Sequence, residues 1–112
     1  MDAIGTGATN DQNHELVLDY RARASLSQLP MPEQQAIRSA LHVLAHNGWD
    51  LNAPSLLSVV TLHDQHGAYY GIRLNAAPDV EVVLRPIPGE PGRMAVVDVL
   101  NYKALRNATA SF

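Results

Sequence analysis

Three short runs in the second half of the chain alternate apolar and polar residues, and this period of two constrains the fold most. The runs are 68–74 (AYYGIRL), 79–85 (DVEVVLR) and 94–100 (MAVVDVL). Such alternation is typical of half-buried β-strands, whose successive side chains point to opposite faces of a sheet. The connecting segments NAAP and PIPGEPGR are rich in turn-forming residues and short enough for hairpins. The pattern therefore predicts an antiparallel meander with one apolar face.

The first half of the chain follows a helical period instead. Residues 15–20 form a short apolar run that we interpret as a first strand. Residues 21–29 and 32–47 carry apolar side chains at intervals of three and four, which indicates two amphipathic helices joined by a tight turn. Pro32 suits the first turn of the second helix, and Gly48 suits the left-handed residue that ends it. The apolar stripes consist of Ala22, Leu26 and Leu29, and of Ile37, Leu41 and Leu44.

The remaining segments complete a predicted order of β-α-α followed by strands. We interpret residues 57–62 (LSVVTL) as a further strand or an extended segment, and residues 63–67 as a turn. Residues 102–108 are predicted to form a short C-terminal helix. Because the strands are segregated from the helices, we predict an α+β fold in which a helical hairpin packs on a three- to four-stranded antiparallel sheet.

Length and composition indicate one ordinary globular domain. The 112 residues are enough for one domain and too few for two. We assign residues 14–108 to this domain and residues 109–112 to a tail. Residues 1–13 are small and polar without periodicity, and we predict a disordered leader there. The absence of cysteine excludes disulfides and thiolate chemistry.

The sequence lacks the marks of a membrane or secreted protein. No apolar run approaches the roughly 18 residues that span a bilayer, and no basic start followed by an apolar stretch signals secretion. We therefore predict a cytoplasmic protein.

The 11 acidic and 8 basic residues give a net charge of −3, which argues against strong sequence-independent binding of nucleic acid. Seven of the eight basic residues are arginine, which suits recognition of phosphate or carboxylate at a local patch.

The alternation also predicts which side chains share a face of the sheet. The apolar sets, which should lie under the helices, are Tyr70, Ile72, Leu74, Val80, Val82, Leu84, Ala95, Val97 and Val99. The opposite face then carries Tyr69, Arg73, Glu81, Arg85 and Asp98. We expect the helices to cover the first set and to leave the second open.

Hairpin register decides which of the charged residues meet. A first hairpin centred near Ala77 places Arg73 opposite Glu81. A second hairpin centred near Gly89 places Glu81 opposite Asp98, so the three charged residues form one row across three strands. Two interpretations of this row stay open. It forms cross-strand salt bridges on a solvated surface, or it belongs to a ligand or catalytic platform that contains an arginine.

The order of elements and three segments resemble the RelE/ParE superfamily of toxins. The segment LSQLPMPEQQAIRSALHVLA resembles that family's helical hairpin, and YYGIRL resembles its central strand, in which an aromatic residue is followed shortly by Arg. The segment MAVVDVLNYKALRN resembles its last strand and the basic stretch after it. The resemblance covers roughly residues 15–106 and implies a small α+β fold.

The resemblance implies the toxin component of a toxin–antitoxin pair, neutralised by an antitoxin protein that wraps it with a helix or strand. RelE-like members promote mRNA cleavage on the ribosome, where Arg or Lys stabilises charge at the scissile phosphate and a general base activates the 2′-OH. ParE-like members act on DNA gyrase instead. The alternative is a non-enzymatic interaction domain or a catalytically silent toxin homologue, with a stable partner or a homodimer that uses a sheet edge or the helical face.

The candidate site combines positions that match the family pattern with other basic and aromatic residues, among them Tyr69 and Arg85 of the predicted polar face. Arg73 matches the strand arginine, and the C-terminal stretch supplies basic and aromatic residues. The candidate catalytic residues are Arg73, Arg85, Tyr102 and Lys103, and the candidate substrate-binding residues are Tyr69, Arg93 and Arg106. The family often has a second arginine at the start of the next strand, where this chain has Glu81. A carboxylate at that position would repel a phosphate.

No cofactor and no metal site are predicted. The chain has no Gly-rich phosphate loop of the P-loop or Rossmann type, no nucleophile elbow and no HExxH pattern. His42 and His46 lie four residues apart on the second helix, and His63 and His66 bracket a turn. We interpret all four as surface or capping residues rather than metal ligands, with the last two as weak candidates for a general base. Trp49 is predicted to close the core beneath its loop.

Overall fold

The computed structural model describes residues 16–103, which contain two helices and five strands. Their bounds are β1 Val17–Leu18, α1 Tyr20–Ser27, α2 Met31–His46, β2 Leu56–Asp64, β3 Gly67–Leu74, β4 Ala77–Pro86 and β5 Met94–Asn101. The predicted leader at 1–13 and the tail at 109–112 lie outside the described residues. Of the predicted helix at 102–108, the first two residues are described, and both have helical backbone conformation.

The five strands form one open sheet in the order β1-β5-β4-β3-β2. Consecutive strands from β2 to β5 pair antiparallel, as the meander pattern predicts, whereas β1 pairs parallel with β5. The α+β class is confirmed, but the predicted sheet of three to four strands is wrong in its strand count, because the sheet has five strands and one of them is parallel to its neighbour. The difference lies at the two edges of the sheet, where β2 is a full strand of nine residues and the short β1 adds beside β5.

Helix α1 begins earlier than predicted, at Tyr20, so the first strand is limited to two residues. The Asp19 N–H donates to the Val96 carbonyl at 2.9 Å, which ties the end of β1 to β5. The Asp19 carbonyl then accepts from the Arg23 N–H in the first helical turn. Pro30, in extended conformation, separates α1 from α2, because a proline disfavours continuation of the helix that precedes it.

Helix α2 ends where Gly48 predicts a stop. Gly48 adopts a left-handed φ of 76°, and Trp49 follows with a φ of 60°, an uncommon value for a bulky residue. The Trp49 N–H donates to the Leu44 carbonyl at 2.7 Å, which satisfies one of the last carbonyls of the helix. This turn leaves Trp49 only 6% exposed against the core. The prediction that Trp49 closes the core is therefore confirmed.

The core lies between the helical hairpin and one face of the sheet, and no polar or charged residue of the described range is buried in it. Ile37 and Leu41 of α2 are fully buried, as are Ile72 of β3 and Leu84 of β4. They belong to the predicted helical stripe and to the predicted inward sets of the two strands. Burial of each such side chain contributes about 1.5–3 kcal/mol before conformational entropy is subtracted.

A β-bulge on β5 alters the predicted inward set of that strand. Adjacent residues of β4 pair with Asp98 and Val96, so the intervening Val97 is an extra residue that shifts the alternation by one. Val99 is buried as predicted, whereas Val96 is buried in place of Ala95 and Val97. The prediction for β5 is therefore partly wrong, because strict period-two alternation makes no allowance for an inserted residue.

Candidate functional site

We call the sheet face turned away from the core the open face. It carries Tyr69, Gly71 and Arg73 of β3 and Glu81, Val83 and Arg85 of β4, with Tyr102 just beyond β5. Strand alternation turns each of the β3 and β4 residues outward, because each is next to a side chain that points into the core. At its centre, Arg73 lies directly opposite Glu81, as a hairpin centred near Ala77 predicts.

The Glu81 side chain lies over Gly71 instead of forming an ion pair with Arg73. A Cβ at Gly71 would collide with Glu81 Oε2, so the carboxylate occupies space that any other residue would fill. A hydrogen bond to Glu81, together with burial and the Glu81 charge, raises the pKa of the Tyr102 phenol. Glycine at position 71 therefore allows the carboxylate to lie over β3.

Arg73 stacks on the Tyr102 ring, with its guanidinium carbon 4.8 Å from the ring centroid. This is a cation–π contact, in which the negative ring face attracts the cation. Tyr102 therefore contacts two residues of the open face, since its ring lies against Arg73 and its hydroxyl faces Glu81. Within residues 16–103, Arg73 has no carboxylate within ion-pair distance. Its N–H groups can donate to a ligand on the open face.

Arg85 is held in a two-pronged ion pair with Asp64. Nη1 donates to Oδ1 at 3.2 Å and Nη2 donates to Oδ2 at 2.7 Å, while the guanidinium carbon lies 4.7 Å from the centroid of the Tyr69 ring. Hydrogen bonding to Arg85 holds the pKa of Asp64 below its ordinary value, and the same bond raises the pKa of Arg85. Both side chains are about one-third exposed, so the pair orients Arg85 more than it stabilises the fold.

The turn between β2 and β3 supplies the Asp64 carboxylate. The sequence predicts a turn at 63–67, but β2 continues to Asp64 and the turn is limited to Gln65 and His66. Asp64 Oδ1 accepts from the His66 N–H at 2.8 Å, the local bond by which aspartate favours turns. This bond holds the carboxylate where the Arg85 guanidinium reaches it.

The predicted row of Arg73, Glu81 and Asp98 does not form. Glu81 pairs with Leu100 and Asp98 pairs with Val83. The pairing of β4 with β5 differs from the predicted register by one residue near the hairpin, where the connection turns later than predicted. Beyond the bulge it differs by two residues, because β5 contains an extra residue. Asp98 bonds instead to the next backbone N–H at 2.8 Å and to a hydroxyl of α1 at 3.5 Å.

Two of the described candidate residues do not join this cluster. Arg93 lies on the β4–β5 connection, paired with Glu90 at 2.5 Å beside a separate groove. Lys103 lines a different groove together with Glu33 of α2. Arg106 lies outside the described residues. The candidates that the structure brings to the open face are Tyr69, Arg73, Arg85 and Tyr102.

The four histidines within residues 16–103 occupy exposed positions. His42 and His46 lie on the surface of α2, and His63 and His66 lie at the β2–β3 turn. Strand alternation places His63 on the face opposite to Asp64, so its ring points away from the open face. In residues 16–103, no group of three or more His, Asp, Glu or Cys side chains is arranged to hold a metal ion.

Two residues of the site, Asp64 and Gly71, are not among the candidates drawn from the sequence. An aspartate at a turn predicts a local backbone bond, and nothing in the pattern connects it to Arg85, which lies 21 residues further along. A glycine inside a strand does predict a close approach, and YYGIRL carries that signal. A shallow cleft beside Arg85 is lined also by Tyr20 and Arg21 of α1, and the sequence pattern does not predict it.

Comparison with protein-family models, with curated proteins and with solved structures finds no match to this chain. Neither helix in residues 16–103 has the length and apolar composition needed to cross a membrane. The geometry of the open face is therefore the basis for a functional proposal.

Proposed function

We propose that this chain is the toxin-like component of a toxin–antitoxin pair, of the RelE/ParE kind, and that the open face is its working surface. The observation that carries the proposal is Arg73 on an inner strand, stacked on Tyr102 just beyond the last strand. The sequence resemblance implies an arginine and an aromatic or basic residue at these two positions. A helical hairpin packed on an antiparallel meander is in keeping with the same resemblance.

The charge balance of the open face favours a protein target over cleavage of RNA. Asp64 offsets Arg85 through a direct ion pair, and the Glu81 carboxylate lies over the middle of β3. A phosphodiester that approached Arg73 would meet this carboxylate, and repulsion between the two negative charges opposes binding. A protein surface that offers both donors and acceptors complements mixed charge better. Within the family, action on gyrase is thus more consistent with the site than ribosome-dependent cleavage of mRNA.

Controlled expression in bacteria that lack an antitoxin tests the proposal. The wild-type chain should arrest growth. Arg73→Ala should abolish the arrest, because it removes the open-face arginine that has no ion-pair partner within residues 16–103. Arg23→Ala is the matched control, since Arg23 is an exposed arginine of α1, and this variant should remain toxic. Equal protein levels for the three chains, measured by immunoblot, are required for the comparison.

The target branch is tested with purified components. We expect the chain to inhibit supercoiling by DNA gyrase and to leave ribosome-bound mRNA intact. Cut mRNA with unaffected gyrase would overturn this choice of branch but keep the toxin proposal. Toxicity that survives Arg73→Ala would remove Arg73 from the site. Normal growth at high expression of the wild-type chain would reject the toxin proposal.

A non-enzymatic interaction domain is the second candidate, and the paired state of the open face favours it. The Arg85 guanidinium is already bonded to Asp64, and the Tyr102 hydroxyl already faces Glu81. These polar groups need no substrate to be satisfied. This candidate predicts normal growth together with a stable protein complex. A chain that stays monomeric at high concentration with nothing co-purifying would contradict it.

A further inference from the structure

Arg73 and Glu81 are cross-strand neighbours of opposite charge that do not form an ion pair. They lie directly opposite each other on β3 and β4. At such positions the Cβ atoms are about 4.5–5.5 Å apart, a distance that long charged side chains bridge readily. No ion pair within residues 16–103 includes either residue. Their separation therefore requires a physical cause.

Tyr102 contacts both charged residues through different parts of its side chain. Its ring lies against the Arg73 guanidinium, whose carbon is 4.8 Å from the ring centroid. Its hydroxyl donates to the Glu81 carboxylate, the bond that contributes most to the raised pKa of Tyr102. The ring face competes with the carboxylate for the cation, and the hydroxyl competes with the guanidinium for the carboxylate. Each contact therefore disfavours the ion pair.

Glycine at position 71 provides the space in which the carboxylate lies. Gly71 pairs with Val83, so it is a diagonal neighbour of Glu81 on the open face rather than its direct neighbour. A Cβ at position 71 would collide with Glu81 Oε2. Because that Cβ is missing, the carboxylate has a place to lie other than against the Arg73 guanidinium.

An ion pair would change what Arg73 offers to a ligand. Arg85 shows the paired state, since both of its Nη atoms donate to Asp64. A carboxylate bonded in this way neutralises the charge and occupies N–H donors that a ligand would need. Stacking on a ring uses the face of the planar guanidinium and leaves its N–H edges free. Arg73 therefore keeps both its charge and its donors at the half-buried surface.

We propose that Tyr102 is a positioning residue that keeps Arg73 and Glu81 from pairing, so that the Arg73 guanidinium stays available to an acceptor group of the target protein. The mention of a target rests on the proposed function, whereas the separation of the two charges is a property of the chain alone. Without the Tyr102 side chain, Arg73 and Glu81 should form the ion pair that their register favours. The open face would then lose its available arginine.

Nuclear magnetic resonance of the Arg73 Nε–H group tests the separation in the purified chain. Glu81→Gln should leave this signal nearly unchanged while Tyr102 is present. In Tyr102→Leu, the same substitution should shift the signal and speed its exchange with water severalfold, because it then breaks an ion pair. Tyr20→Leu is the matched control, since it removes a tyrosine of α1 that is 79% exposed. In that background Glu81→Gln should have as little effect as in the wild type.

Equal effects of Glu81→Gln with and without the Tyr102 side chain would overturn the proposal. The backbone amide spectrum shows whether Tyr102→Leu folds. If it does not fold, Tyr102→Phe takes its place, because this variant keeps the ring and loses only the bond to Glu81. Glu81→Gln should then affect the Arg73 signal more in Tyr102→Phe than in the wild type. An effect no larger than in the wild type would overturn the proposal as well.

Growth assays connect the separation to toxicity. Tyr102→Leu should weaken the arrest of growth, and the double variant with Glu81→Gln should recover it, because the carboxylate that captures Arg73 is then absent. A purely structural role of Tyr102 would give no such recovery, so a loss that Glu81→Gln does not restore would overturn the positioning role. A wild type that does not arrest growth would reject the toxin function instead, and the Arg73 signal would still decide whether Tyr102 separates the two charges.

Discussion

On the helix side of the sheet, Ile72 and Leu84 are fully buried and no polar side chain of the described range is buried with them. On the open face, two arginines stack on tyrosine rings and two carboxylates lie beside them. The first face is stabilised by removal of apolar surface from water, which needs no specific partner. The second face is organised by directional contacts at the surface, each of which contributes little to stability.

The comparison shows that the face whose burial stabilises the domain is not the face that carries the charged and aromatic side chains. Within the open face, the two arginines differ in the same sense. Arg85 is fixed by Asp64 and by the Tyr69 ring, whereas Arg73 contacts the Tyr102 ring and has no ion-pair partner in residues 16–103. A ligand would therefore find its donor at Arg73, and Arg85 would maintain the shape of the surface around it.

Neighbouring residues on β4 test the difference between the faces most strongly. Leu84→Ala should lower the free energy of unfolding by about 2–5 kcal/mol, because it leaves a cavity under the helices. Val83→Ala, one residue away on the half-buried open face, should lower it by less than about 1.5 kcal/mol. Urea denaturation at 25 °C measures both. Equal losses would show that the open face contributes to the core.

The ion pair on the open face should appear in the pH dependence of stability. Because the folded-state pKa of Asp64 is lowered, the pair stabilises the fold above the ordinary aspartate pKa of about 3.9 and loses this effect as pH falls through the lowered value. Asp64→Asn removes the pair. The difference in urea midpoint between wild type and Asp64→Asn should be greatest at neutral pH and should disappear in acid. A difference that is constant with pH would contradict the assignment.

The smallest expected effect is a titration change at one tyrosine. Hydrogen bonding to Glu81 raises the pKa of Tyr102, so Glu81→Gln should return that pKa toward the ordinary tyrosine value. Ultraviolet absorbance of tyrosinate, with Tyr102→Phe to identify the signal, measures the change. The free energy of unfolding should change little, since Glu81 lies at the half-buried surface.

Gly71→Ala is the matched geometric test of the same contact. Its Cβ would occupy the position of Glu81 Oε2, so the flexible carboxylate should leave its place over Gly71 and change its contact with Tyr102. Because the raised pKa of Tyr102 depends on this carboxylate, we expect that pKa to change in Gly71→Ala although no charge is removed. An unchanged pKa in Gly71→Ala would mean that the contact with Tyr102 does not depend on the place of the carboxylate over position 71.

Sequence pattern predicted the site in part. The alternation in YYGIRL and DVEVVLR correctly turned Tyr69, Arg73 and Arg85 to one face, because β3 and β4 follow a period of two along the stretch that carries them. The place of Glu81 opposite Arg73 was also predicted, although the turn lies earlier than predicted: Leu74 pairs with Ala77, and a shift of register between Leu74 and Arg73 brings Arg73 opposite Glu81. The contact between Glu81 and Tyr102 was not predictable. It depends on the position of the Tyr102 side chain, which follows the end of β5 and lies over the open face.

The sequence by itself determined the two helices, the inward sides of β3 and β4, and the stop at Gly48, because these depend on side chains a few residues apart in the chain. Tertiary structure decided that β1 joins β5 in parallel, that a bulge at Val97 shifts the register, and that Asp64 binds Arg85. These contacts join residues far apart in sequence, and their geometry depends on the combined directions and lengths of the strands and turns between them.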